Sequence, residues 1–315
     1  MAVTVTDVDR FEAARPRLAA IAYRLLGSAS EAEDAVQDTY LRWQAADTDR
    51  IEVPEAWLTK VLTNLCLSRL TSARARRETY VGQWLPEPLL AGDPLLGPAD
   101  TAERRESVSY ALLVLLERLA PAERAVYVLR EAFDYPHREI ATILGLTEAA
   151  SQQILHRARK HVAQGRVRAE VDEAAARRVI EEFLEAATSG RTEPLVRLLT
   201  EDTVAVGDGG GKVPAAARAF EGALAVAKFM RGLFKQGPAQ RALAGGPVHL
   251  YASTANGGPA LVAVTGGGRV FGVMCLEITA EGIAAFRNQV NPDKLERATR
   301  QWAATDHGEP LLRLF

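Results

Sequence analysis

Asp34, Gln37, Asp38 and Leu41 recur at spacings of three and four, so a helix gathers two carboxylates, an amide and an apolar side chain on one outer face. Standing alone, such a face is open to the plain reading of a solvated acidic surface. From Leu25 to Leu41 the chain carries four acidic residues (Glu31, Glu33, Asp34, Asp38) and no basic one. From Ala56 to Arg77 the balance reverses, with five basic residues (Lys60, Arg69, Arg74, Arg76, Arg77) and no acidic one. From Ala149 to Ala169 there are again five (Arg157, Arg159, Lys160, Arg166, Arg168) and no acidic one. A net charge of −2 argues against wholesale coating of nucleic acid, yet it conceals one anionic and two cationic faces.

The elements that must position these groups are helical at first. Phe11, Leu18, Ile21, Ala22 and Leu25 recur at helical spacing. Gly27 and Ser28 end that helix, and Ser30 is expected to cap the next, Glu31 to Trp43. Pro54 opens a third helix whose buried face is Trp57, Leu58, Val61, Leu62 and Leu65. Trp84 to Pro98 then contains four prolines, which removes backbone donors and excludes regular helix or strand. Residues 103–165 are helical again. Beyond residue 170 come two helices (about 172–188 and 193–199), a β run at Thr203–Val206, a helix near 221–235, and β runs at 248–254, 260–265, 269–279 and 283–290. These strands are apolar at both phases, which predicts helices on one face of a sheet and a lined cavity on the other. At 315 residues and 48% hydrophobic content the chain is ample for two or three domains. Met1–Arg10 is no signal peptide, and the most apolar stretch, Tyr110–Leu116, is too short to cross a bilayer, so a cytoplasmic protein is expected. Cys66 and Cys275 are expected as free buried thiols, and no zinc set is visible.

His137 to Ile154 carries a bihelical pattern. Pro136 stands at the helix start, and Ile140, Ile143 and Leu144 form the inner face. Ala141 is small where a second helix must cross, Gly145 makes the turn and Thr147 caps the second helix, whose core face continues through Ile154 and Ala158. Gln152, Gln153, His156, Arg157, Arg159 and Lys160 then face outward, where amides and guanidinium groups reach base edges and phosphates of a major groove. Ser151 stands where helix-turn-helix proteins usually carry an aliphatic residue.

Acidic helix, tryptophan-anchored helix, basic run, linker and helix-turn-helix form an ordered series over residues 8–165 that resembles the two conserved domains of bacterial sigma factors of the extracytoplasmic-function group. The resemblance implies that Asp34, Gln37, Asp38 and Leu41 dock on the β′ subunit of core RNA polymerase, with the β subunit as a further partner. It implies that Lys60, Asn64, Arg69, Arg74, Arg76 and Arg77 serve the −10 promoter element, with Asn64 reading an extruded base and the arginines holding phosphates. Arg138, Gln152, Gln153, His156, Arg157, Arg159 and Lys160 would serve the −35 element. Extrusion costs a few kcal/mol of stacking, so a trapping pocket is needed. The two elements lie about 70 Å apart, and some 25 linker residues reach at most about 85 Å.

The remaining 150 or so residues resemble SnoaL-like, NTF2-type cones. Trp84-Leu-Pro-Glu-Pro88, Asp208-Gly-Gly-Gly-Lys212 and Asn291-Pro-Asp-Lys-Leu295 together mark the sigma factors with a fused SnoaL-like domain, the mycobacterial SigJ type. The expected fold is therefore multidomain: two all-α domains followed by an α+β cone. The boundaries expected are sigma region 2 at 1–78, a proline-rich linker at 79–102, sigma region 4 at 103–166, the SnoaL-like regulatory domain at 170–298 and a tail at 299–315. Trp84, Leu85 and Pro86 are expected to dock near Asp208, Gly209, Gly210, Gly211 and Lys212 and near Asn291, Pro292, Asp293 and Lys294, because an aromatic followed by prolines is ill suited to a free tether. The glycines form a tight turn allowing close approach, and no phosphate loop, because Lys212 precedes Val213-Pro214 where a phosphate loop needs Ser or Thr.

Two other readings remain. An enzymatic cone would draw on Asp202, Asp208, His249 or Glu277, but no aligned acid–base pair appears, Asp208 reads as a loop residue, and the expectation is no catalytic site, no cofactor and no metal. A helix-turn-helix regulator with a ligand-binding domain would leave Glu31–Arg77 without a role. A small-molecule ligand in the cone cavity fits either case.

Overall fold

Gly27 adopts a left-handed φ of 68°, and this turn sets the frame for the next helix. Ser28, not Ser30, is the cap: its hydroxyl accepts from the Glu31 amide at 3.3 Å. Ser30 falls inside the first turn, because the helix begins at Ala29, two residues before the Glu31 start that a Ser30 cap requires. This computed structural model describes residues 5–78, 80–97, 107–163, 172–216, 218–235 and 237–314. Contacts divide the chain into two units, Met1–Thr79 with Gly92–Arg166, and Tyr80–Ala91 with Val167–Phe315.

In the helical unit α1 (Val5–Leu26), α2 (Ala29–Ala45) and α3 (Pro54–Glu78) pack through Phe11, Ile21, Leu25, Ala35, Trp43, Leu58 and Leu62, all buried. The Trp43 indole donates to the Asp7 carbonyl at 3.0 Å, satisfying its polar end. α4 (Tyr110–Leu116) and α5 (Pro121–Tyr127), which runs into a π turn at Val128–Ala132, precede the helix-turn-helix pair α6 (His137–Leu144) and α7 (Glu148–Ala163). Gly145 is left-handed at φ 67°, and Thr147 Oγ1 accepts from the Ala150 amide at 3.1 Å. Ser151 is wholly buried in place of an aliphatic residue, and its hydroxyl is satisfied by His137 Nδ1 at 2.9 Å. Leu155 and Ala158 carry the core face of α7, with Ile154 half-buried.

The α1–α3 bundle and the α4–α7 segment share one core. Arg124, buried, donates to the Arg24 carbonyl at 3.3 Å and pairs with Glu117. Arg24 in turn donates to Ser107 Oγ at 3.1 Å and to the Leu96 carbonyl at 3.0 Å. Burial pulls Arg124 down to about 9 and Arg24 to about 10, so both guanidinium groups are held against a desolvation penalty by their acceptors.

The expected linker 79–102 is not one object. Residues 80–91 belong with the C-terminal unit and 92–97 with the helical one. Buried Leu85, Leu89, Leu90 and Leu95 explain the division, since each half has an apolar surface to cover. Leu89–Ala91 is strand-like: the Leu89 carbonyl accepts from Asn256 N at 2.8 Å and Ala91 N donates to the Thr254 carbonyl at 3.2 Å. Pro94–Leu96 forms a 3₁₀ turn capped by Asp93.

The C-terminal unit has helices α8 (Glu173–Thr188), α9 (Glu193–Leu198), α10 (Ala223–Leu233), α11 (Pro238–Ala244) and α12 (Glu296–Ala303). Its strands are β1 (Leu199–Asp208), β2 (Phe220–Glu221), β3 (Val248–Ala255), β4 (Gly258–Thr265), β5 (Val270–Thr279), β6 (Gly282–Gln289) and β7 (Leu312–Leu314). They make a seven-stranded sheet in the order β2-β1-β6-β5-β4-β3-β7, parallel between β1 and β6 and antiparallel elsewhere. Phe183, Met230, Phe234, Leu250, Leu261, Met274, Leu276 and Phe286 form the core between helices and sheet. The helices and the cavity therefore lie on the same face. The expectation of opposite faces is corrected: the second apolar phase is covered by residues 80–91 and by α12, whose Trp302 packs on Tyr251 at 5.0 Å between ring centroids. The expected tail at 299–315 is likewise corrected over its described residues, 299–314, because α12 and β7 complete this unit. β1 also runs longer than the expected Thr203–Val206.

Candidate functional sites

On α2, Asp34, Gln37 and Leu41 are exposed and Asp38 is partly so. Arg69, from α3, reaches this face: its guanidinium pairs with Asp38 at 2.6 Å and approaches Asp34 at 3.8 Å. A residue expected among the −10 group is thus joined to the acidic face. Lys60 and Asn64 are exposed one turn apart on α3, at i and i+4, so they share a stripe. The side chains of Arg74, Arg76 and Arg77 lie outside the described residues. Arg138, Gln152, Gln153, His156, Arg157, Arg159 and Lys160 are all exposed on the helix-turn-helix. Arg157 pairs with Glu123 at 3.4 Å and Arg159 with Glu131 at 2.7 Å.

In the C-terminal unit the three sequence strings meet around one carboxylate. Asp208 is wholly buried at the end of β1, and the expectation of a loop residue is corrected. A carboxylate tolerates such burial only when its oxygens are saturated with donors. Oδ1 accepts from the Tyr80 hydroxyl at 2.7 Å and the Gly210 amide at 3.0 Å. Oδ2 accepts from the Leu85 amide at 2.9 Å, Gln289 Nε2 at 3.1 Å and Lys294 Nζ at 2.7 Å. Lys294 also donates to the Leu85 carbonyl at 2.7 Å and sits 4.1 Å from the Trp84 ring centroid, a cation–π contact. Gln289 bridges to the Leu85 and Pro86 carbonyls, each at 3.3 Å. Burial, then the bond to Asp208, pushes the Tyr80 hydroxyl well above its ordinary range, so it stays a donor.

The glycines permit this packing. A Cβ on Gly210, whose φ is +60°, would meet Asn291 Nδ2 at 2.3 Å, and one on Gly209 would meet the Val213 carbonyl at 1.9 Å. Gly211, at φ +72°, lies beside Val81. Asn291 opens the Pro292–Lys294 3₁₀ turn and donates to the Tyr80 hydroxyl at 2.9 Å. Lys212 and Asp293 pair at the surface at 2.6 Å and tie the two loops together. Sequence reasoning missed Tyr80, Gln289 and Gln301, which donates to the Ala91 carbonyl at 2.8 Å. Gln289 was signalled only by lying two residues before Asn291.

A cavity of about 330 Å³ opens between the sheet and α10. Phe220, Phe229, Phe234, Phe271, Met274 and aliphatic groups line it, and Asn288 is the one polar side chain among the described lining residues. Asp202 is exposed, His249 sits beside the sheet edge strand β7, and Glu277 pairs with Arg287 on the opposite sheet face. Burial raises the Glu277 carboxyl, with Arg287 acting against it. Cys66 and Cys275 are buried free thiols. Among the described residues no His, Cys, Asp or Glu cluster could hold a metal, and no helix is long and apolar enough to cross a membrane.

Comparison with known proteins adds to this geometry. Residues 10–76 match the sigma-70 region 2 family and residues 109–162 match sigma-70 region 4. The chain is 40% identical over 252 residues to the extracytoplasmic-function RNA polymerase sigma factor SigJ of Mycobacterium tuberculosis, covering 78% of this chain and 80% of that protein. It is 36% identical over 195 residues to the probable sigma factor SigI of the same species, covering 60% of this chain and 65% of the relative. The crystal structure of M. tuberculosis SigJ superposes with a TM-score of 0.68 at 34% identity, covering 91% of this chain and 97% of that one. The chain therefore belongs to the extracytoplasmic-function sigma factors of RNA polymerase.

Proposed function

We propose that this sigma factor binds core RNA polymerase through Asp34, Gln37, Asp38 and Leu41, on the β′ subunit, with β as a further contact. Lys60 and Asn64 then engage the −10 element, with Arg69, Arg74, Arg76 and Arg77 beside them, and the outer face of α7 with Arg138 engages the −35 element. The C-terminal unit regulates this activity from within the same chain. One observation carries the regulatory reading: residues 80–91, part of the only covalent connection between the two sigma regions, lie on the C-terminal sheet with Leu85 bonded to buried Asp208. Once the −10 and −35 readers leave the core they share, holding or releasing these residues sets how far the two can separate. The cytoplasm, where polymerase works, is the expected compartment.

The cavity lining holds no titratable group among the described residues, which favours binding over acid–base chemistry as the role of the cone. The test is run-off transcription with core polymerase, comparing the full chain with residues 1–170, each with and without Trp84→Ala. The substitution should alter transcription only in the full chain. An equal effect in both overturns the regulatory reading, and failure of the full chain to copurify with core polymerase overturns the polymerase-binding residues.

A further inference from the structure

Two neighbouring strands of the C-terminal sheet present one residue to the cavity and the next to the 80–91 segment. On β1, Gly207 lines the cavity and Asp208 binds Leu85 and Tyr80. On β6, Asn288 lines the cavity and Gln289 binds the Leu85 and Pro86 carbonyls. Val290 lines it again, and Asn291 binds Tyr80. Gly207 is in register with Asn288, and Asp208 with Gln289. The alternation of a strand thus places a cavity-facing pair directly beside a segment-binding pair on the same two backbones. The 209–216 loop repeats the arrangement: Gly210 rests on Asp208 and Asn291, while Val213, Pro214, Ala215 and Ala216 form part of the cavity wall.

We infer that the cavity is a sensor site for a neutral, ring-bearing apolar molecule with one hydrogen-bonding group, and that its occupancy tightens the 80–91 segment on the sheet. The inference rests on the regulatory reading above and deepens it by naming the ligand class. The lining dictates that class. No described lining residue carries charge, so an ionised ligand would be desolvated without a counter-charge. Phe220 and Phe229 stack at 4.4 Å between centroids and 17° between planes, presenting a flat aromatic wall. Asn288 supplies one amide, able to donate to a carbonyl or accept from a hydroxyl or amine. About 330 Å³ suits a molecule of two or three fused or linked rings, at the small end of ligand pockets. A ligand packed against Gly207, Asn288 and Val290 removes freedom from the two backbones that carry Asp208, Gln289 and Asn291. Ordering those acceptors and donors in advance lowers the entropy lost when residues 80–91 dock.

The experiment uses the full chain with N-phenyl-1-naphthylamine, a neutral fluorescent three-ring amine, and 8-anilinonaphthalene-1-sulfonate as its anionic counterpart. The neutral probe should bind saturably with enhanced emission, and the sulfonate should bind at least about tenfold more weakly. Ala216→Trp, on the loop at the cavity mouth, and Ala263→Trp, on β4 inside it, should each abolish binding of the neutral probe. The loop variant keeps the test decisive if the buried one fails to fold. With the probe bound, hydrogen exchange at the Leu85 and Leu89 amides should slow about fivefold or more, while exchange across residues 137–163 stays unchanged. Equal binding of both probes, binding that survives Ala216→Trp, or saturable binding with unchanged exchange at 80–91 each overturns the inference. These assays contain no polymerase and the transcription test contains no probe, so failure of the ligand inference and failure of the regulatory reading are separately visible.

Discussion

Replacing Asp208 by asparagine keeps the shape of the side chain and removes its charge. The carboxylate accepts from five donors, two on Oδ1 and three on Oδ2, one of them the Lys294 ammonium. Whichever way an amide is turned, its NH₂ group faces at least two donors that had an acceptor. A lost charge-assisted bond costs about 1.5–3 kcal/mol and a lost neutral bond about 1 kcal/mol. Lys294, itself 12% exposed in its side chain, is left without its carboxylate. Together these give about 3–4 kcal/mol, within the range for breaking a buried ion pair. The loss falls on local docking of residues 80–91, since the main core between helices and sheet does not use Asp208. Hydrogen exchange at the Leu85 amide should therefore accelerate about 100- to 1,000-fold at constant pH. Asp202→Asn, exposed on the same strand, is the control and should stay within about threefold of the wild type. Exchange at Leu85 that changes no more in Asp208→Asn than in the control refutes the assignment of Asp208 as the hub.

Asp38→Lys should abolish copurification with core polymerase while costing about 1 kcal/mol or less of stability by chemical denaturation, because its bond to Arg69 is partly exposed. Gln153→Ala should relax −35 base preference at about 1–3 kcal/mol in competition binding, whereas Lys160→Ala should weaken all sequences alike and lower the salt slope by about 1. Gly210→Ala should destabilise the C-terminal unit by about 1–3 kcal/mol in thermal unfolding, since its φ is +60° and the new Cβ would lie 2.3 Å from Asn291 Nδ2. Burial raises both thiols from 9.0 to about 12, so a thiol reagent at pH 8 should label native protein about 1,000-fold more slowly than denatured. The folded values lie above the unfolded ones, so this stabilisation is present below pH 9 and is lost as pH rises towards 12.

The helix-turn-helix was legible because Ala141, Gly145 and Thr147 act within a few residues of where they stand in the chain. Docking of Trp84–Pro86 was legible for a similar reason, since that composition is wrong for a tether. Asp208 was misread because little beside it announces burial: of its five donors only the Gly210 amide is local, and the others come from residues 80, 85, 289 and 294, far away in sequence. The cavity was placed on the wrong face because strands apolar at both phases say that both faces are covered, and not by what. The end of the chain was read as a tail because α12 buries only Ala298 and Trp302, too few apolar residues to mark a helix. Ser28 and Ser30 are equivalent as caps by type, and the extended backbone of Ser28, at φ −132° and ψ 127°, decides between them.

The three residues of β7 have a consequence out of proportion to their number. They pair with Val248–Leu250 of β3 and end the sheet on that side, as the two residues of β2, paired with β1, end it on the other. An open, apolar strand edge invites a second chain to extend the sheet, and ending the sheet on strands of two and three residues leaves little edge to pair with. Removing Leu312–Leu314 would bare the backbone of Val248–Leu250, so the loss should show as self-association of the C-terminal unit and not as a change in the helical unit.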